Sequence, residues 1–594
     1  MDGALSEGAL RPFLPAARLS LSGRRWFRRE GGPRAASLAA RGLSPLLAAV
    51  LAGRGVTADA VEGVLTPQLR TLLPDPDRLA DMARAVARLA RAVEEQETVG
   101  ILTDYDVDGA CAGALLADLL EALGARVVTD VPDRHREGYG PNPAAMERLL
   151  GAGARLIVTL DCGTAAGAVF APLTEKTDII VFDHHKHEGV LPPVLATVNP
   201  NRPDDSSGQG HLCATGVTFL AAVGLLRALR EQGFFAARPE PDLRADLDLV
   251  ALATVADVVP LIGLNRAFVA QGLKVLAQRR RVGLAALIEA ARVSRLDVHA
   301  LGFALGPRIN AGSRIGRSDL GLSLLRCRDP DAAAGIARHL DQLNRERQDI
   351  EEGLLEAAMA EAERQQRAGR TVLLVAEPGW HVGVVGIVAS RLKERFNRPA
   401  CVGAHVEGMI KGSGRSLPGF DLGAAVIAAR EAGVAAGGGG HAMAAGFTLA
   451  PDRLEAFHDF LHARLAGAEA LPPVPDLILD AEVPAETLDL ALAESIAALA
   501  PFGQGFEEPL FLIPRLVLGG ITPLGAKGAT WRLDFTAADG RRLEGVLFRA
   551  PQSGLAAELP ALRGALLHVA GFLRPNEWNG TRRLQLQVVD AALA

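Results

Sequence analysis

Residues 99–109 read Val-Gly-Ile-Leu-Thr-Asp-Tyr-Asp-Val-Asp-Gly, and an Ala/Leu-rich stretch follows from about 109 to 123. A short apolar run, then a glycine-containing turn, then a helical pattern is a strand feeding a helix. The rhythm continues downstream. Arg126–Thr129 is a second short run, Asn142 is placed to cap a helix to about 150, and Arg155–Leu160 and Thr177–Phe182 are further runs. Helices are expected over 213–232 and 243–256. Strand and helix in alternation predict an α/β fold with a mostly parallel sheet covered on both faces. Upstream, Leu79, Met82, Val86, Leu89 and Val93 stand three and four apart and predict a helix over 79–97.

The acidic residues fall where these runs stop. Asp104, Asp106 and Asp108 follow the first run, Asp161 follows Leu160, Asp183, His184 and His185 follow Phe182, and Asp257 ends the apolar run Leu249–Ala256. Ligands of parallel α/β sheets bind beyond the carboxyl ends of the strands. One Asp-x-Asp in a glycine turn is ordinarily a solvated loop or a helix cap. Four acidic clusters, each closing an apolar run, are better read as one site. Carboxylates gathered there would repel unless a cation lay between them. Oxygen-rich ligands with one or two imidazoles suit Mn²⁺ or Mg²⁺ rather than zinc. Two such ions are the machinery for in-line attack of water on phosphorus.

The rest of the chain changes character twice. Region 329–367 is charged and, from His339 on, free of proline, with Leu340, Leu343, Ile350, Leu354, Leu355 and Met359 at helical spacing. It reads as a long connecting helix. Thr371–Val375 opens a second α/β unit that ends near 465, and Leu471-Pro-Pro-Val-Pro475 reads as a linker. Beyond it the period becomes two, in Trp531–Phe535, Leu543–Phe548, Leu566–Phe572 and Leu584–Val589. Hairpin signals stand at Asp539-Gly540 and Asn579-Gly580. About five short strands predict a small barrel of the OB type. The expected division is 1–75 tail and helical extension, 76–328 first α/β domain, 329–367 connector, 368–466 second α/β domain and 472–594 barrel.

Composition bounds the reading. At 594 residues the chain exceeds one core, and about 150 residues per domain suggests roughly three or four. Apolar residues at 49% exclude a mostly disordered chain. No run of about 18 residues lacks charged or strongly polar groups, so no membrane span is expected. Residues 1–37, rich in Arg, Gly and Pro, read as a loose tail and not as a signal peptide. With 63 basic against 69 acidic residues the chain is no histone-like binder, although a local basic groove suffices for phosphate contacts. Cys111, Cys162, Cys213, Cys327 and Cys401 lie far apart without a CxxC pair, which argues for a reduced, cytoplasmic protein.

The motifs resemble a known family. DYDVDG at 104–109, LDCG at 160–163, DHH at 183–185 and ADVVPL at 256–261 resemble the four motifs of the DHH phosphoesterases. GVVGIVASRL at 383–392, GSGRSLPGFDL at 412–422 and GGGGHAMAAGF at 437–447 resemble the DHH-associated domain. GPRINAGSRIG at 306–316 and APFGQGFEEPLF at 500–511 narrow the resemblance to the bacterial single-strand-specific 5′-to-3′ DNA exonucleases of that family, over about 75–594. The resemblance implies that Asp106, Asp108, Asp161, His184 and Asp257 are metal ligands, with Asp161 the bridge between two divalent ions. Asp104 would be a further ligand or a supporting group. His185 would stand near the scissile phosphate to protonate or position the leaving group, and Asp183 would orient a neighbouring imidazole.

The substrate side is more diffuse. Lys274 to Arg317 holds nine Lys/Arg against two acidic residues. Within the family-like motif, Arg308, Asn310, Arg314 and Arg317 gain weight as phosphate contacts. Gly437–His441 reads as a glycine loop whose amides, notably at Gly439 and Gly440, approach phosphates closely beside Arg415 and Ser416, with Ser390 and Arg391 nearby. Arg308, Arg415, Ser416 and His441 are the expected readers of a 5′ phosphate. In the barrel, Trp531, Phe535, Phe548, Phe572 and Trp578 among arginines suit single-stranded nucleic acid, with about half of them expected in the core. The expected partners are single-stranded DNA, a single-strand-binding protein and a helicase, for a monomer in the cytoplasm. Two alternatives stay open: a DHH phosphodiesterase of short oligonucleotides or cyclic dinucleotides, against which the barrel argues, and a non-catalytic DNA-binding relative, against which the retained acids argue.

Overall fold

The computed structural model describes residues 9–15, 18–187, 189–465, 471, 474–525, 528–578 and 580–594, without the side chain of Trp578. The first eight residues, the linker prolines Pro472 and Pro473, Asn579 of the second hairpin signal and the Trp578 ring lie outside the described residues. The chain forms two compact units. Among the described residues, one comprises Gly32–Asn344 and Ser495–Glu508; the other comprises 9–31, Arg345–Glu494 and Pro509–Ala594.

The first unit is built on β1 (Thr98–Thr103), β2 (Arg126–Asp130), β3 (Leu156–Leu160), β4 (Asp178–Phe182) and β5 (Ala196–Val198), in the order β2-β1-β3-β4-β5 and parallel throughout. Alternation divides its side chains between two cores, as a sheet covered on both faces requires. Leu156, Val158, Leu160, Ile180 and Phe182 join one cluster, with α1 (Met82–Glu94), α2 (Val107–Ala122), α4 (Ala214–Glu231) and α5 (Leu247–Ala256). Ile157, Ile179 and Val181 join the other, with Met146 and Leu149 of α3 (Pro143–Gly151). As expected, Asn142 caps α3, its side chain accepting from the Ala145 N–H at 2.9 Å.

Register matters most for the site. Thr103 pairs with Leu160, Leu160 with Phe182, and Phe182 with Val198, so four strands end level. The ladder runs one residue further: Asp104 N–H donates to Leu160 O, Asp161 N–H to Phe182 O and Asp183 N–H to Val198 O, at 2.9–3.1 Å. Asp104, Asp161, Asp183 and Asn199 therefore stand side by side, one strand spacing apart, about 4.8 Å.

The expected connector is a single helix, Pro330–Arg367, which begins in the first unit and ends in the second. The second unit contains a five-stranded sheet of Leu373–Glu377, Ala400–Val406, Met409–Arg415, Gly437–His441 and Ala444–Leu449, antiparallel apart from its first pair. It also contains a closed barrel. Phe511–Leu524, Thr530–Thr536, Arg542–Leu547, Thr581–Leu593 and Leu566–Trp578 follow in order, and the last pairs back onto the first. Three of these strands run to 13 or 14 residues, longer than expected, and Phe511–Leu524 carries a bulge between Leu518 and Gly520 that lets it bend around the barrel. Among the aromatics, Phe535 is core, Trp531 and Phe572 are part-buried and Phe548 is exposed.

The described part of the N-terminal stretch is not a loose tail. Leu10–Pro12 and Trp26–Arg29 are strands, and the second pairs in parallel with Leu477–Leu479. Trp26 is 1% exposed, packs with Leu14, Leu479 and Leu512, and donates its indole N–H to Asp590 at 2.9 Å. The Arg- and Gly-rich composition hides two aromatic anchors, Phe13 and Trp26, whose apolar partners lie far along the chain. Trp26→Ala is expected to destabilise this unit by roughly 3–5 kcal/mol, as loss of a buried aromatic does. The measurement is an earlier urea transition by far-UV circular dichroism. An unchanged transition would restore the tail reading.

Candidate metal centre

Asp106 is the N-cap of α2, its Oδ1 accepting from the N–H groups of Asp108 (2.9 Å) and Gly109 (3.3 Å). Gly109 has no alternative: a Cβ there would lie 2.3 Å from Asp104 O. The cap turns Asp108 inward against the first turn of α4. There its carboxylate accepts from Ala214 N–H (2.6 Å), Thr215 N–H (2.8 Å) and the Thr215 hydroxyl (2.6 Å). Helix N-terminal amides favour an anion at that point. Asn310, on α6 (Gly306–Ile315), accepts from Val107 N–H at 3.1 Å and so braces the same turn.

Asp183 is also saturated. It accepts from the Thr164 N–H and hydroxyl, from the His184 and His185 N–H groups, and from His185 Nδ1 at 2.8 Å. Burial would push its pKa up, but the hydrogen bond and charge of His185, with Thr164, hold it well below the usual carboxylate range. For His185 burial would lower the pKa, and Asp183, with Asp257 and Asp104, outweighs it and raises it to about 9. Without cations the ring is therefore protonated at neutral pH, with Nδ1–H directed at Asp183. His184 differs: burial dominates the pull of Asp108 and lowers its pKa, so its imidazole is neutral, the form that ligates metal.

Asp104, Asp161 and Asp257 each keep one buried oxygen bare. Asp161 adopts φ 62°, which swings its side chain off the strand direction. Its Oδ1 lies 3.3 Å from His184 Nε2, and that nitrogen is 3.6 Å from Asp257 Oδ2 and 3.8 Å from Asp108 Oδ2. Among the described residues, Asp104 Oδ1, Asp161 Oδ1, Asp257 Oδ2 and His184 Nε2 are buried without a hydrogen-bond partner. Burial first, then repulsion from neighbouring carboxylates, raises the pKa of all three acids well above the ordinary value. Orphaned acceptors of one sign around a neutral imidazole fit a divalent cation. Two groups offer atoms within 4.8 Å of one another, Asp104/Asp106/Asp161 and Asp108/His184/Asp257; a third, Asp161/His184/His185, links them. Asp161 thus stands where one carboxylate can serve two ions.

The supporting residues were not evident in the sequence. Tyr139 donates its hydroxyl to Asp161 O at 2.8 Å and lies 3.1 Å from His185 Nδ1. Asn199 donates to the Thr164 hydroxyl and to His185 O, and Asn201 to His184 O. Asn199 and Thr164 follow strand ends as the acids do, which is the one signal that could have singled them out.

Several expected phosphate contacts have other work. Arg308 donates to Asp341 at 2.9 Å and to Ala304 O at 2.7 Å, which ties α6 to the long helix. In the basic stretch 274–317, Arg281, Arg295 and Arg317 also form ion pairs, with Asp118 and Asp246, Asp297, and Asp319. Arg314 gives its main-chain carbonyl to His135 Nε2. In the second unit, Ser416 is fully buried, its hydroxyl donated to Phe420 O and its N–H to Met443 O, so it fixes a turn and has no donor left for a phosphate. Ser390 donates to Gly386 O, and Arg391 pairs with Glu351 and Glu394. Arg415 donates to Gly414 O and lies over Gly386. The glycine run is not a loop. Gly437–His441, with Gly439 and Gly440, is an edge strand beneath the helix Leu422–Glu431, where a Cβ on Gly438 would meet Val426 at 2.6 Å. His441 at its end is exposed.

Comparison with known proteins agrees with this architecture. Residues 98–254 match the DHH family N-terminal domain, 369–467 the DHHA1 domain and 479–590 the RecJ OB domain. The single-stranded-DNA-specific exonuclease RecJ of Dickeya dadantii is 39% identical over 464 residues, 75% of this chain and 80% of the relative. That of Salmonella typhimurium is 34% identical over 598 residues, 95% and 99% of the two chains. The crystal structure of RecJ in complex with Mn²⁺ from Thermus thermophilus superposes with a TM-score of 0.79 at 31% identity, covering 97% of this chain and 80% of that one. Among the described residues no helix is long and apolar enough to cross a membrane. With matched domains in the same order and a relative aligned along almost its whole length, the chain belongs to the RecJ family of DHH phosphoesterases.

Proposed function

We propose that this protein is a metal-dependent exonuclease that hydrolyses single-stranded DNA from the 5′ end to nucleoside 5′-monophosphates, in DNA repair and recombination. The observation that carries the chemistry is the cluster of buried, unpartnered Asp104, Asp161 and Asp257 oxygens around His184 Nε2. Substrate class follows the names of its relatives. Two divalent ions, Mn²⁺ or Mg²⁺, would lower the pKa of an attacking water and offset charge on the phosphate and leaving oxygens. Asp106, Asp108, Asp161, His184 and Asp257 would hold them, with Asp161 shared and Asp104 assisting. Asp183 fixes the orientation of His185 through Nδ1, and the ring positions or protonates the leaving oxygen. The protein works as a cytoplasmic monomer, with a single-strand-binding protein and a helicase supplying its substrate.

Asp161→Ala is expected to abolish cleavage, a loss greater than the roughly 10–100-fold typical when a partner outside the ligand set is removed. Binding of long single-stranded DNA should persist, because strand affinity comes from basic and stacking groups elsewhere. Product release and filter binding at saturating Mn²⁺ measure the two. Full activity of the variant would sink the assignment.

Polarity requires a reader of the 5′ phosphate. Arg415, His441 and the outer amides of the edge strand Gly437–His441 supply charge and N–H donors of the right kind. Removing the 5′ phosphate should slow initiation by the wild type. Arg415→Ala should lose most of that preference, about 1.5–3 kcal/mol for one charge-assisted contact, or roughly ten- to a hundred-fold. The check is the initial rate on 5′-phosphorylated and 5′-hydroxyl strands labelled at the 3′ end. A variant that keeps the full preference would show that Arg415 does not read the end.

A further inference from the structure

The segment Ser495–Glu508 belongs to the first unit, although its neighbours in sequence belong to the second. It contains most of APFGQGFEEP at 500–509, a motif with no role in the chemistry above. Its centre is a tight turn closed by Gly503 N–H to Phe506 O (3.0 Å) and Phe506 N–H to Gly503 O (3.1 Å). Phe506 is 2% exposed and lies beneath two guanidinium groups, Arg266 at 4.2 Å and Arg54 at 5.2 Å from the ring centre. Arg266, from the helix Gly263–Leu276, is 1% exposed. It donates to three main-chain carbonyls: Val64 O (2.8 Å), Pro501 O (2.7 Å) and Leu499 O. Arg54 donates to Glu507 O. Such a buried guanidinium is costly unless each of its donors is used, so it holds the segment in one geometry.

The turn in turn grips the loop that follows Asp257. Val258 is held at φ 58°, and Leu261 N–H donates to Gln504 O at 2.7 Å. Gly503 packs so close to Leu261 that a Cβ would lie 2.6 Å from its Cδ1, and a Cβ on Gly505 would lie 3.1 Å from the Cβ of Pro260. From the inner side, Asn265 donates to Pro260 O at 3.0 Å. Residues 258–262 are thus clamped between Asn265 and the turn, and Asp257 enters that clamp directly from α5. Its Oδ2 is one of the bare buried atoms of the metal cluster.

We infer that Arg266 is a positioning residue for Asp257: by fixing the turn at 499–507 it fixes the 258–262 loop, and so aims the Asp257 carboxylate at the ion shared with Asp108 and His184. This rests on the two-ion reading above. It predicts a selective defect, because Asp104, Asp106 and Asp161 are held by strand ends and the α2 cap and owe nothing to the clamp.

The test is Mn²⁺ titration of the full-length protein, followed by electron paramagnetic resonance of free and bound ion, with no DNA present. Wild type should bind two ions. Arg266→Gln should keep one at wild-type affinity and weaken the other by about 10–100-fold, the usual cost of losing a group that orients a ligand. Asp257→Asn should show the same pattern. Phe506→Leu, which stays apolar and removes the aromatic face, should move in the same direction and carries the test if Arg266→Gln fails to fold. Two ions bound at wild-type affinity by the variants would overturn the proposal. So would equal weakening of both ions, which marks a general loss of fold. A wild type that binds only one ion would overturn the two-ion reading and this proposal with it.

Discussion

Carboxylates at the ends of neighbouring parallel strands cannot share a dry pocket as free anions, and the first unit is arranged around that repulsion. Level register sets Asp104, Asp161 and Asp183 in a row, each one strand spacing from the next. The fold then treats its acids in two ways. Asp106, Asp108 and Asp183 are supplied with main-chain amides and hydroxyls and become fixed points. Asp104, Asp161 and Asp257 keep buried oxygens without donors. A protein that only needed stability would have replaced the bare set with apolar residues, since an unpaired buried charge costs several kcal/mol. Their presence makes affinity for a cation part of the folded state's energy.

The same division explains what each histidine does. His184 and His185 are adjacent, yet burial leaves the first neutral and Asp183 charges the second. Without cations, burial leaves one ring in the neutral form that can ligate a metal, while the carboxylate beside the other keeps it positively charged.

The sheet and most of the acidic cluster were legible because short apolar runs that stop at Asp leave little choice of period or direction. Asp257 was legible as the end of an apolar run inside the helix expected over 243–256, which forms as Leu247–Ala256 with Asp257 at its C-terminus. Tyr139, Thr164, Asn199 and Asn201 were not legible, because a hydroxyl or amide that braces a neighbour's backbone has no pattern of its own. The basic stretch 274–317 misled for a related reason. Composition counts Arg281, Arg308 and Arg317 as positive, whereas Asp246, Asp341 and Asp319 neutralise them across gaps of two to thirty-five residues. The glycine run read as a loop because flexibility and close packing select the same residue; only the helix above it tells them apart.

Among the described residues the chain passes between its two units four times, and this has a consequence during synthesis. Trp26–Arg29 pairs with Leu477–Leu479, a partner made about 450 residues later, or roughly 20–90 s at usual elongation rates. Throughout that interval an aromatic strand edge must wait on the ribosome without its neighbour. Expression of this protein should therefore depend on chaperones that shield nascent chains, and truncation before residue 477 should yield aggregates in place of a shorter soluble nuclease.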